Sequence, residues 1–135
     1  MFKQQTIRIV FSLALHYQWS LRQLDVSNAF LHGDVDEDIY MTQPPSYVDS
    51  TFPHHVCKLT KSLYGLKQAP RAWYRRLSAF LYAYGFRKNE HDTSLFIMHG
   101  SKGTLILLVY VDDVIVTGSS TTLVQDFIDL SLIHI

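Results

Sequence analysis

The sequence has a single cysteine, Cys57, so no intrachain disulfide can brace the fold. A lone thiol is compatible with a reducing compartment without establishing one. Net charge is also lacking, because 12 Lys and Arg balance 12 Asp and Glu. A free-standing nucleic-acid binder is usually basic, since phosphate neutralisation carries much of its affinity. Composition taken alone therefore argues mildly against such a partner. No long apolar run is present: the longest, Leu105 to Val111, is far too short to cross a bilayer. The N-terminus shows no basic stretch followed by an apolar core, so no signal peptide is read there. These absences point to a soluble chain, or part of a larger soluble protein, with no membrane partner. What the chain does have is apolar and aromatic content, 47% and 13%, in 135 residues. That suits one globular domain with one core.

The distribution of charge says more than its sum. Lys58, Lys61, Lys67, Arg71, Arg75, Arg76, Arg87 and Lys88 fall in one central segment. Acids gather before it at Asp34, Asp36, Glu37 and Asp38, and after it at Asp112 and Asp113.

Hydrophobic spacing gives the elements. Ile7, Val10, Phe11, Ala14 and Leu15 share one face of a helix of about three turns. Leu21 to Val26 reads as a strand, interrupted by Asp25 where an apolar residue would be the default. Ser27 to Leu31 reads as a tight turn or a single helical turn, and Gly33 with the acids after it as a surface loop. Ile39-Tyr40-Met41 and Val56 to Leu59 read as short strands around an exposed loop at 46–55. Pro70 suits the first turn of a helix, which Trp73, Leu77, Phe80, Leu81 and Tyr84 continue to a stop at Gly85. Leu95 to Met98 and Thr104 to Tyr110 read as strands joined through His99-Gly100-Ser101-Lys102-Gly103, and Val114 to Thr117 as a third. Thr121 or Thr122 caps a last helix running to about Leu130. The order predicts an α+β domain: an antiparallel sheet with helices packed on one face.

Tyr110-Val111-Asp112-Asp113 is the sharpest feature. Two adjacent carboxylates lie between Leu105-Ile106-Leu107-Leu108-Val109 and Val114-Ile115-Val116. Like charges in apolar surroundings are costly, and a divalent cation with hard oxygen ligands relieves the cost. A plain polar hairpin turn is the rival reading, since Asp favours turns. Asp25 has a bland reading too, as an edge-strand or capping residue. Taken together, Asp25, Asp112 and Asp113 suggest a three-carboxylate site of the kind that holds two Mg²⁺ ions for in-line displacement at phosphorus. His54, His55 and Cys57 have the wrong spacing for a zinc pair. No serine elbow or paired base supports hydrolase chemistry.

Six blocks carry a resemblance. They are Trp19-Ser20-Leu21-Arg22-Gln23-Leu24-Asp25-Val26, Asn28-Ala29-Phe30-Leu31-His32-Gly33, Ile39-Tyr40-Met41 with Gln43-Pro44-Pro45, the run from Leu63 to Tyr74 (Leu-Tyr-Gly-Leu-Lys-Gln-Ala-Pro-Arg-Ala-Trp-Tyr), Asp92-Thr93-Ser94-Leu95-Phe96, and Leu108 to Asp113. In this order they are similar to copia-type retrotransposon reverse transcriptases over roughly residues 5 to 130. The resemblance implies a polymerase palm, ferredoxin-like in fold, incomplete, with part of the fingers, over residues 1–130. It implies RNA-directed DNA polymerase activity: two-metal nucleotidyl transfer from dNTP to a primer 3′-OH, with two Mg²⁺ ions, or Mn²⁺ in their place. Asp25, Asp112 and Asp113 match the catalytic, metal-binding aspartates. Asn28 and Ala29 fall beside the triphosphate. Phe30 matches an aromatic gate against a 2′-OH, where a core phenylalanine is the other reading. Tyr64 and Gly65 match the loop that supports the incoming nucleotide, and Tyr110 lies beside the primer end. Lys67 and Arg71 reach phosphates of primer or template, or form a solvated basic face.

The family pattern implies further partners: an RNA or DNA template with its primer, and a parent polyprotein carrying fingers, thumb and RNase H. The chain is short for a template-directed polymerase, and Ser131 to Ile135 depart from the family's continuation as a divergent or truncated tail. Ser27 stands where the family commonly has asparagine. The expectation is thus a fragment of a retrotransposon reverse transcriptase. The alternative is a non-catalytic remnant that keeps the palm fold.

Overall fold

A computed structural model describes residues 4–25, 33–63, 65–110 and 113–134, with backbone alone for 132–134. The order is α1 (Gln4–His16), β1 (Leu21–Asp25), β2 (Tyr40–Thr42), β3 (Val56–Lys58), α2 (Ala69–Tyr84), β4 (Arg87–Lys88), β5 (Leu95–Gly100), β6 (Gly103–Tyr110), β7 (Asp113–Gly118) and α3 (Thr121–His134). A single 3₁₀ turn covers Pro45–Tyr47. The main sheet has the order β1-β7-β6-β5-β4, and every neighbouring pair is antiparallel. Strands β2 and β3 form a separate two-stranded sheet. The fold is therefore α+β around an antiparallel sheet. Among the described residues no helix is long and apolar enough to cross a membrane.

Two helices cover one face. Residues Trp73, Leu77 and Leu81 recur every four positions along α2, and Val124, Phe127 and Ile128 line one side of α3; all six are buried. They pack on Leu105, Leu107, Val109, Val114, Val116 and Phe96, the residues that alternate toward that face of β5, β6 and β7. Pro70 lies in the first turn of α2, and Gly85, at φ 127°, ends it by donating its N–H to the Leu81 carbonyl.

The third helix corrects the expectation that all helices share a face. Val10 of α1 packs with Ile106 and Leu108, and Trp19, Leu95, Ile97 and Ile115 surround them. These strand residues alternate with the first set, so α1 lies on the opposite face. The cause is in β6, where Leu105 to Val109 are all buried without alternation. A strand apolar on both sides needs cover on both sides.

Other boundaries also moved. The β5–β6 loop is two residues, Ser101 and Lys102, because both strands extend to Gly100 and Gly103. The strand β4 was not expected: two residues are too few for a period to register. Helix α3 continues to His134, through the residues read as a tail, and Ser131 is buried with its Oγ donating to the Ile128 carbonyl. The expected turn at Ser27 to Leu31 lies outside the described residues.

Candidate active site

Asp25 ends β1 and Asp113 begins β7, and the two are direct partners in the antiparallel register. Asp113 is partnered on its other side by Tyr110, the last residue of β6. Direct partners in an antiparallel pair leave the same face of the sheet, with Cβ atoms ~4.5–5.5 Å apart. Asp25, Asp113 and Tyr110 thus form one row across three strands. It lies on the α1 face, at the end of the sheet. The next row on that face is Gln23, Ile115 and Leu108, which leads into the α1 cluster. Asp25 is exposed, Asp113 is half-buried and Tyr110 is 53% exposed. The strand ends therefore place two carboxylates and a phenol at an open margin beside an apolar floor.

Two neighbouring carboxylates offer hard oxygen donors of the type Mg²⁺ takes, with open space for water or substrate oxygens to complete its shell. Asp112, the third expected carboxylate, lies outside the described residues, as do Asn28, Ala29, Phe30 and Tyr64. Among the described residues no three His, Cys, Asp or Glu side chains gather as a metal cluster.

Gly65 is exposed, at φ 92°, in the turn that leads into α2. Lys67 and Arg71 are exposed, just before α2 and in its first turn.

The acidic loop is more than the plain surface loop its sequence suggests. Gly33 is buried rather than exposed. Its carbonyl accepts the Ser62 N–H at 2.9 Å, and Asp34 bridges to Lys61 in antiparallel fashion. Three ion pairs join the loop to the basic segment: Asp34 with Lys61, Asp36 with Arg75 at 2.5 Å, and Asp38 with Lys58 at 3.2 Å. The Lys61 ammonium, by hydrogen bond and charge, holds the Asp34 carboxyl below its ordinary value of 3.8. A cleft of about 470 Å³ lies beside these pairs, lined by Asp34, Asp36, Trp73, Arg75 and Arg76 among others. Part of the basic segment is therefore neutralised within the chain. The signal was visible as a run of acids preceding a run of bases, but spacing does not say which of them meet.

The comparisons with known proteins agree with the motif blocks. The family model for reverse transcriptase (RNA-dependent DNA polymerase) matches residues 1–132, and the chain belongs to that family. Within it the likeness is to the copia-type retrotransposon members. The chain is 50% identical over 127 residues to the retrovirus-related Pol polyprotein from transposon RE1 of Arabidopsis thaliana. It is 47% identical over 127 residues to the corresponding polyprotein from transposon RE2 of the same plant. These alignments cover 94% of this chain and 9% of each polyprotein. The Pol polyprotein from transposon TNT 1-94 of Nicotiana tabacum is 43% identical over 123 residues, 90% of this chain and 9% of that protein. The chain thus spans about 9% of the length of these relatives. No solved structure matches it.

Proposed function

We propose that this chain is the palm portion of an RNA-directed DNA polymerase, and that Asp25, Asp112 and Asp113 are its catalytic, metal-holding carboxylates. The observation that carries the reading is the direct pairing of Asp25 with Asp113 across β1 and β7. The carboxylates would hold Mg²⁺, with Mn²⁺ able to replace it. When bound, two such ions make the primer 3′-hydroxyl a better nucleophile and stabilise the departing pyrophosphate. Asp25 and Asp113 fix the place of that chemistry, because they stand on paired strands of a packed sheet rather than on loops. Tyr110, in the same row as Asp113, supports the primer end. Asn28 and Ala29 offer backbone N–H groups to the triphosphate, and Phe30 excludes a 2′-OH by its bulk. Tyr64 and Gly65 support the incoming dNTP, while Lys67 and Arg71 meet phosphates of primer or template. The parent polyprotein supplies fingers, thumb and RNase H around this core.

Primer extension on an RNA template with Mg²⁺ tests the proposal. The unmodified chain is expected to extend the primer, and Asp113→Asn to lose at least 100-fold of that rate, the order of effect of removing a group that stabilises the transition state. Equal extension by both proteins, or none by either, would favour the non-catalytic remnant.

A further inference from the structure

Side chains alternate along a strand, so β1 sends Arg22 and Leu24 to one face of the sheet and Gln23 and Asp25 to the other. Two contacts agree with that division. Leu24 packs against the core beneath α2 and α3, and the Arg22 guanidinium donates to the Gln125 side-chain oxygen of α3 at 3.1 Å. Gln23 therefore shares the α1 face with Asp25. It pairs with Ile115, one step along that face from the Asp25–Asp113 pair. Asp25 is about 7 Å away along the strand, and Asp113 roughly 7–8 Å away on the diagonal, within reach of a long side chain. The rest of this row is Ile115, Leu108 and Leu95, so Gln23 is its one polar member. Gln23 is exposed, and among the described residues its amide has no hydrogen-bond partner. Among the same residues neither Asp25 nor Asp113 forms an ion pair.

We infer that Gln23 is a positioning residue of the carboxylate site: its side-chain amide donates to the Asp25–Asp113 pair and orients it to receive a divalent cation. This rests on the proposed polymerase function. A neutral amide suits the task. Its N–H groups hold a carboxylate in one orientation and offset the repulsion between two of them, whereas a lysine or arginine would bring a positive charge that competes with the cation. Gln23 itself touches neither metal nor substrate in the proposal; it acts through the aspartates. The bland alternative is a solvated glutamine on an edge strand, which would leave cation binding unmoved.

Gln23→Met tests the inference, because it keeps the length of the side chain and removes the amide. Mn²⁺ affinity, followed by electron paramagnetic resonance, is expected to fall on the order of tenfold. In primer extension the variant should need about tenfold more Mg²⁺ for half its maximal rate, and excess Mg²⁺ should restore that rate. Circular dichroism and the melting temperature in chelator should stay close to those of the unmodified chain. Arg22→Met, on the same strand but the opposite face, should leave Mn²⁺ affinity unchanged. Mn²⁺ binding that needs Asp113 but is indifferent to Gln23→Met overturns the positioning role alone. So does an equal loss in Arg22→Met, a lowered melting temperature in Gln23→Met, or extension that excess Mg²⁺ fails to restore, since each points to a disturbed strand instead. No extension by the unmodified chain, or extension indifferent to Asp113→Asn, overturns the polymerase reading and this inference with it.

Discussion

Asp25 and Asp113 face each other directly across two strands, and like charges so placed repel. Proteins tolerate such an arrangement where something else gains from it. A cation site is such a gain, because the metal turns the repulsion into shared attraction. The cost should be measurable without metal. In a chelator, Asp113→Asn is expected to stabilise the fold by about 0.2–1 kcal/mol. In thermal unfolding that is a rise of roughly 1–5 °C. Added Mg²⁺ should raise the melting temperature of the unmodified chain and leave the variant unmoved. A variant that melts lower than the unmodified chain in chelator would mean that Asp113 holds the fold by hydrogen bonding instead. At this scale the sequence was informative but incomplete. Asp25 stood out because it interrupts an apolar strand, and Asp113 because it belongs to an adjacent pair of acids between two apolar runs. Their register across β1 and β7 was not legible, because a pattern along one strand carries no information about its partner.

At the scale of elements, α2 and α3 owe their place to the buried residues on one side of each helix. Their contact is largely aromatic. Phe127 of α3 sits 5.3 Å from Phe86 and 5.1 Å from Tyr84 between ring centroids, and 6.3 Å from Phe80. Edge-to-face packing of this kind adds to the burial of the rings. Burial, with the Asp126 carboxylate adding to it, pushes the Tyr84 phenol above its ordinary 10.0. Phe127→Ala removes the central ring and should cost about 3–5 kcal/mol, measured by urea unfolding. A loss below about 1 kcal/mol would show that α3 adds little to the core. The period of α2 could be read from spacing, and the start of α3 from Thr121 and Thr122. The side taken by α1 could not. The evenly apolar run of β6 held the clue, yet a run without alternation fits a buried strand of several architectures. The strand β4 was hidden by its length, and the extension of α3 by residues without a strong period.

The whole molecule brings together what the sequence keeps apart. Order β1-β7-β6-β5-β4 sets the first strand beside the last, so the middle of the chain lies between the two halves of the proposed site only in sequence. The middle segment returns through the acidic loop, whose ion pairs fold its bases back onto the chain and spend part of the positive charge expected to face nucleic acid. The motif blocks announced the family because their order is specific, and the family match over residues 1–132 agrees. They did not disclose the close approach between Gly33 and α2. If folding unites Asp25 and Asp113 in one divalent-cation site, the chain should bind Mn²⁺ there, as titration followed by electron paramagnetic resonance would show. The unmodified chain is expected to deplete the free Mn²⁺ signal, and Asp25→Asn and Asp113→Asn each to weaken that binding by at least tenfold. Binding unchanged in both variants, or no binding by the unmodified chain, would contradict it.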